Sequence, residues 1–154
     1  MMDVIRAKRA GFCMGVALAL HKLDSMVAAR QGEQVATLGD IIHNPQVLDD
    51  YARKGVRRLG AASEAQADMA VLIRAHGITR SMEEELRGRC ARVEDATCPR
   101  VKKAQLAIAE ATAAGRELLL YGEADHPEVR GLISYAAGQS RIFSSQAELD
   151  ALLE

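Results

Sequence analysis

The chain has 154 residues, 49% of them hydrophobic, enough to bury one substantial core or a small domain together with part of another. Its 20 basic and 21 acidic side chains leave a net charge of −1 with no basic block, which argues against nucleic-acid binding and against attachment to an anionic membrane surface. The 3 cysteines include no CxxC pair and fit a reducing cytoplasm better than a disulfide framework, and no apolar run is long enough to cross a bilayer.

Short β-prone runs alternate with helical stretches along the chain. "DVIRA" (3–7) reads as a strand and precedes the helical "MGVALALHKLDSMVAARQG". This opening imitates a secretory leader, but "HKLD" follows at once and no cleavage site appears, so the segment is read as part of the fold. "QVATLG" (34–39) is the next strand, followed by a helix opening at Asn44-Pro45, where the asparagine caps and the proline presets φ. "GVRRLG" (55–60) adds a short strand. "MAVLIRA" (69–75) leads into a helix near "RSMEEELRGRC", and "RVEDAT" (92–97) into "PRVKKAQLAIAEATAAG". "ELLLYG" (117–122) leads into "PEVRGLISYAAG", and "RIFSS" (141–145) into "QAELDALLE", where Ser145 and Glu148 have capping-box spacing. Gly32, Gly115 and Gly138 are placed to end helices as C′ residues. The alternation predicts an α/β fold of βαβ units, with parallel sheets flanked by helices.

In such sheets ligands bind beyond the carboxyl ends of the strands, so the strand-to-helix loops carry the interest. They hold Cys13 in "RAGFCMG", His43 in "IIHNPQ", His76 in "AHGIT", Cys98 in "ATCPR", and His126 with Glu128 in "EADHPEV". Cys98 stands directly before Pro99 where a strand meets a helix, and the free N–H groups of a helix start favour a thiolate there. His21, inside the first long helix, and Cys90, at the end of another, fall outside this pattern and are assigned structural roles. Three chemistries suit the set. Zinc takes Cys and His ligands, though structural zinc sites draw them in close pairs and these two cysteines lie 85 positions apart. A cysteine beside an imidazole makes a nucleophile but leaves the other groups without a task. An iron–sulfur centre on scattered thiolates leaves the histidines for an anionic substrate and Glu128 for proton transfer.

The stretches "RAGFCMGV", "IIHNPQVLDDYARKGV", "IRAHGIT", "DATCPRVKKA" and "DHPEVRG", in this order, closely resemble the 4-hydroxy-3-methylbut-2-enyl diphosphate reductase (LytB/IspH) family. The resemblance implies an enzyme of the non-mevalonate isoprenoid pathway that reductively removes a hydroxyl from an allylic diphosphate, giving isopentenyl and dimethylallyl diphosphates. It implies a 4Fe-4S cluster held by three cysteines and electrons from ferredoxin or flavodoxin. Carried over motif by motif, Cys13 and Cys98 stand at cluster-ligand positions, His43, His76 and His126 at diphosphate-binding positions, and Glu128 at that of the proton-delivering carboxylate. The family's third cluster cysteine, a later serine/asparagine segment and a threonine downstream of the glutamate motif have no counterpart here, and Cys90 is at no ligand position. "YGEADHPE" departs from the usual glycine–histidine pair, placing Glu123 at the cavity rim.

The family architecture is a trefoil-like arrangement of three α/β domains. Residues 1–96 are accordingly expected to form one complete domain and residues 97–154 the incomplete start of a second. With two cysteine ligands, the chain alone is expected to lack an intact cluster. The alternative is a non-catalytic partial module or remnant that acts by self-association or through a partner. Self-association by strand-edge pairing, or by exchange of the segment from about residue 97 onward, is expected from the small second unit.

Overall fold

The strongest strand signal is "MAVLI", whose residues are β-prone and apolar on both faces, as expected for a strand covered on both sides. In the computed structural model, which describes residues 3–5, 7–8, 10–30 and 32–154, it forms the fully buried strand β3 (Met69–Ile73). Beside it lie β1 (Gln34–Leu38), β2 (Arg57–Leu59) and β4 (Arg92–Asp95), all parallel in the order β2-β1-β3-β4. Val71 faces Ala36 on one side and Val93 on the other.

Alternate side chains divide the core into two layers. Val35, Ala70 and Leu72 pack with Ala19, Leu23 and Met26 of helix α1 (Met14–Ala28) and Tyr51 of α2 (Pro45–Arg53). Ala36, Leu38, Val71 and Ile73 pack with Leu59, with Ala62 of a short 3-10 turn, and with Leu86 of α3 (Arg80–Arg89). Each buried Val, Leu, Ile or Met among them contributes about 1.5–3 kcal/mol through removal from water. Tyr51 donates its hydroxyl hydrogen bond to Asp24 at 3.0 Å, and burial with that carboxylate pushes its pKa up to about 12.

After β4 the chain builds a second, two-stranded parallel sheet, β5 (Leu118–Tyr121) with β6 (Ser140–Phe143), served by α4 (Pro99–Ala113), α5 (Pro127–Ile133) and α6 (Gln146–Leu153). Three contacts dock α5 onto the start of α3. The Arg80 N–H donates to Ser134 Oγ at 3.0 Å, the Tyr135 hydroxyl donates to Glu83 at 3.0 Å, and Gly131 lies against the Ile78 carbonyl. Burial and then the Glu83 bond push the Tyr135 pKa well up.

The caps follow the sequence closely. Asn44 Oδ1 accepts from the Val47 N–H at 3.2 Å and Ser145 Oγ from the Glu148 N–H at 3.2 Å, while Glu148 returns a bond to the N–H of Ser144 rather than Ser145. Gly115, at φ +83, closes α4 with the paired bonds of a Schellman motif, Gly115 N–H to Thr112 O and Arg116 N–H to Ala111 O. Gly55 ends α2 in the same way, a stop the sequence reading did not pick out.

Three expectations change. The strand expected at 3–7 does not form: residues 3–5 and 7 carry no strand pairing, with Val4 and Ile5 exposed, and Arg6 lies outside the described residues. A β-prone run becomes a strand only where a neighbouring edge takes up its N–H and C=O groups. Helix α1 stops at Ala28, and Gly32 at φ +89 serves the turn into β1 instead of capping it. Helix α5 stops at Ile133, well before Gly138: the Tyr135 and Ala136 N–H groups turn to the i−3 carbonyls of Leu132 and Ile133, while Ser134 Oγ accepts from the Arg80 N–H and donates to the Gly131 carbonyl.

Candidate functional site

The strand order reverses between β1 and β3: the chain passes from β1 outward to β2, then returns to the other side of β1 for β3 and β4. Loops at the carboxyl ends of two such strands part, and the crevice between them is where open α/β sheets bind ligands. His43 follows β1 and His76 follows β3. Their rings stack there with centroids 5.7 Å apart and planes 23° apart.

From the second unit, the docking of α5 brings His126 and Glu128 to the same crevice. A cavity of about 250 Å³ is lined by His43, Arg74, His76, His126, Pro127 and Glu128. His126 is the N-cap of α5, and its Nδ1 accepts the Glu128 N–H at 3.3 Å, which leaves Nε2 to carry the proton. His76 is half-buried, and burial first, then the charge of Arg74 and the neighbouring His43, hold its pKa below the ordinary value. Glu128 pulls in the other direction. Three larger hollows, of about 400, 600 and 420 Å³, lie under α2, between α1 and α4, and beside the start of α5; the first two are lined by no histidine and the third by His126 alone.

The β4–α4 junction is held by the end of β3. The Ala96 N–H donates to Ile73 O at 3.0 Å and the Cys98 N–H to Ala75 O at 2.8 Å, which sets Cys98 beside the His76 loop. Asp95 anchors the turn: it accepts from the Thr97 N–H at 2.9 Å and from Lys102 Nζ at 2.8 Å, while Lys22 of α1 donates to its carbonyl at 2.6 Å. Burial by itself raises the Asp95 pKa, but the bonds from Lys102 and Thr97 outweigh it and leave the carboxyl below its usual range.

Cys98 is the N-cap of α4 and Cys13 the N-cap of α1, and neither side chain makes a capping bond. A Cβ on Gly15 would stand 2.8 Å from Cys98 Sγ, so the thiol rests on the first turn of α1, two residues after Cys13. The Cys98 thiol therefore lies against the N-terminus of α1, the helix that Cys13 heads. Cys13 precedes α1 but follows no strand among the described residues, contrary to its expected placement in a strand-to-helix loop. Cys90, at the C-cap of α3, packs against the second core layer, and burial pushes its thiol pKa up, which suits its structural assignment. His21 lies exposed on α1, and Glu123 borders a neighbouring hollow with His126. Among the described residues no group of three or more His, Cys, Asp or Glu side chains is set to hold a metal ion. Arg74 is the pocket residue the sequence reading passed over, although it stands in the same "IRAHG" motif as His76.

Residues 4–154 match the family model described as "LytB protein". The chain belongs to the LytB family. This LytB chain is 57% identical over 98% of its length to the 4-hydroxy-3-methylbut-2-enyl diphosphate reductase of Nitratidesulfovibrio vulgaris (strain DP4), covering 55% of that protein. It is 54% identical over 98% of its length to the reductase of the same name from Desulfovibrio desulfuricans, covering 54% of it. Among solved structures, it matches one titled (E)-4-hydroxy-3-methyl-but-2-enyl diphosphate reductase, the terminal enzyme of the non-mevalonate pathway, with a TM-score of 0.83 and 36% identity over all of this chain and 56% of that one. The Plasmodium falciparum reductase structure shares the fold, with a TM-score of 0.84 at 22% identity over 93% of this chain and 45% of that one. The LytB chain thus spans about half the length of the curated relatives it matches. No helix among the described residues is long and apolar enough to cross a membrane.

Proposed function

We propose that this LytB chain carries the diphosphate-binding and proton-delivering part of a reductase that converts 4-hydroxy-3-methylbut-2-enyl diphosphate to isopentenyl and dimethylallyl diphosphates. The observation that carries the reading is the meeting of His43, His76, His126 and Glu128 around one cavity at the switch point of the sheet. The overall change takes two electrons and two protons: the allylic C–O bond breaks, water leaves and a C–H bond forms. The three imidazoles hold the diphosphate, with His126 donating from Nε2 because its Nδ1 is engaged by the Glu128 N–H. The Glu128 carboxyl, one residue past the Pro127 wall of the same cavity, gives a proton to the departing hydroxyl oxygen.

Cys13 and Cys98 suit two ligands of a 4Fe-4S cluster: both are thiols, both head helices, and the Cys98 sulfur rests against the Cys13 turn. When bound, the cluster supplies the two electrons, received from ferredoxin or flavodoxin. The existence of two separate sheets supports a first domain over residues 1–96 and the start of a second over residues 97–154.

The two-thiol set favours a second reading for the chain on its own, that of a non-catalytic partial module. Anaerobic reconstitution followed by iron and labile-sulfide analysis separates the readings. Less than full four-iron occupancy is expected for the isolated chain. Near-stoichiometric occupancy that persists in Cys90→Ser would reveal another route to ligation, and occupancy that collapses in Cys90→Ser would make Cys90 the third ligand. In an assembled reductase, Glu128→Gln is expected to slow turnover about 10²–10⁴-fold with little change in substrate affinity. Unchanged turnover removes the proton-donor role from Glu128.

A further inference from the structure

We propose that Arg74 is the permanent cation of this pocket, pairing through its guanidinium with the diphosphate that the three histidines face. The proposal rests on the diphosphate reading above and adds a residue and a charge to it. Arg74 is the first residue past β3, and its side chain crosses to the first residue past β1: a Cβ on Gly39 would stand 2.7 Å from Arg74 Nη1 and 3.5 Å from Cζ. Gly39, at φ +72, both turns the chain and leaves room for the guanidinium across the switch point.

Among the described residues no carboxylate forms an ion pair with the charge it brings there. Arg58, Arg80, Arg87 and Arg141 each meet a carboxylate, whereas Arg74 has no ion pair among the described residues and its Nε is buried without an acceptor. A partly desolvated guanidinium is costly to leave unpaired. The groups facing it are His43, His76 and His126, which add positive charge when protonated, and Glu128, the single carboxylate lining the pocket. When Glu128 carries the proton it is to deliver, or when an imidazole is protonated, the surplus is positive and calls for an anion. A guanidinium presents a planar fork of donors that matches two phosphate oxygens at once, which an imidazole cannot. It also stays charged at a pH where imidazoles are neutral, and the low pKa of His76 makes that difference matter at neutrality.

Isothermal titration of inorganic diphosphate into the chain, at about pH 6 and about pH 8, tests this. Arg74→Gln is expected to bind about 10- to 100-fold more weakly at the higher pH. Its affinity should then depend more steeply on pH than that of the unaltered chain, because only imidazolium charge remains. A merely structural role for Arg74 would not change that slope. Arg74→Lys keeps the charge and loses the fork, with an expected loss of about 3- to 10-fold. If Arg74→Gln does not melt cooperatively, Arg74→Lys decides alone, and unaltered affinity there overturns the pairing. Unaltered affinity in folded Arg74→Gln, with weakened binding in His43→Gln, overturns the Arg74 role and leaves the diphosphate reading standing. No binding of inorganic diphosphate by the unaltered chain overturns both.

Discussion

Strands β3 and β5 are almost equally apolar in sequence, "MAVLI" and "LLLY", yet all five residues of the first are buried while the second alternates between half-buried and exposed. The difference lies in what covers them. β3 sits between two neighbours and between two helical layers, whereas β5 pairs only with β6, and Leu119 and Tyr121 on its open face remain 39% and 70% exposed. Among the described residues, every buried hydrophobic side chain except Val129 belongs to residue 96 or earlier. Apolar content thus fixes which residues can form a core, and neighbours decide whether they do. The candidate site draws on both regions: loops leaving the well-packed sheet carry His43 and His76, and the thinly packed unit brings His126 and Glu128 to them.

The largest test of this contrast is a pair of truncations. Leu72→Ala, at a side chain with no exposure, is expected to cost about 2–5 kcal/mol in urea unfolding, and Leu119→Ala less than about 1 kcal/mol. Equal losses would break the comparison. Next comes the seam between the units, where Gly15→Ala drives a Cβ to 2.8 Å from Cys98 Sγ and should cost about 1–3 kcal/mol. Gly88→Ala, in α3 with nothing within 4 Å, is the control and should stabilise by about 0.5–1 kcal/mol. Thermal melts of both variants read this directly.

A smaller effect comes from pH. The folded state holds the His76 pKa below its unfolded value, so its contribution is fully present above about pH 6.5 and is lost as pH falls through the folded value. Asp95 is also depressed, so its contribution is present above about pH 4 and fades below that. Melting temperature against pH should therefore fall in two steps, and His76→Gln should remove the upper one. The smallest change in stability is expected for Tyr121→Glu on the open sheet face, within about 0.5 kcal/mol. The expected self-association, by strand-edge pairing of the second unit or by exchange of the segment from about residue 97 onward, is a separate question. Light scattering over a concentration series checks this, and an unaltered chain that stays monomeric at high micromolar concentration would sink the association.

Local chemistry was legible wherever a residue acts on its own neighbours. Asn44, Ser145 and Gly115 cap the helices the sequence assigns them because their bonds span only a few residues. The succession of elements along the chain and the positions of His43, His76, Cys98 and His126 between strand and helix followed from the same short-range alternation, whereas Glu128 falls in the first turn of α5 and not in the loop before it. Tertiary structure decided the rest. Residues 3–7 had strand character, but no neighbouring edge pairs with the described ones. The end of α5 docks on α3 through Ser134 Oγ, which accepts from the Arg80 N–H 54 positions away. Arg74 looked like the end of a strand until its side chain was seen crossing Gly39 into the histidine pocket. The sequence by itself determined the elements and the inventory of reactive groups, since both depend on contacts within a turn or a strand. Only the tertiary structure decided which groups meet, since a βα loop acquires its neighbours from the strand order of the sheet, and that order is set by the burial of both faces.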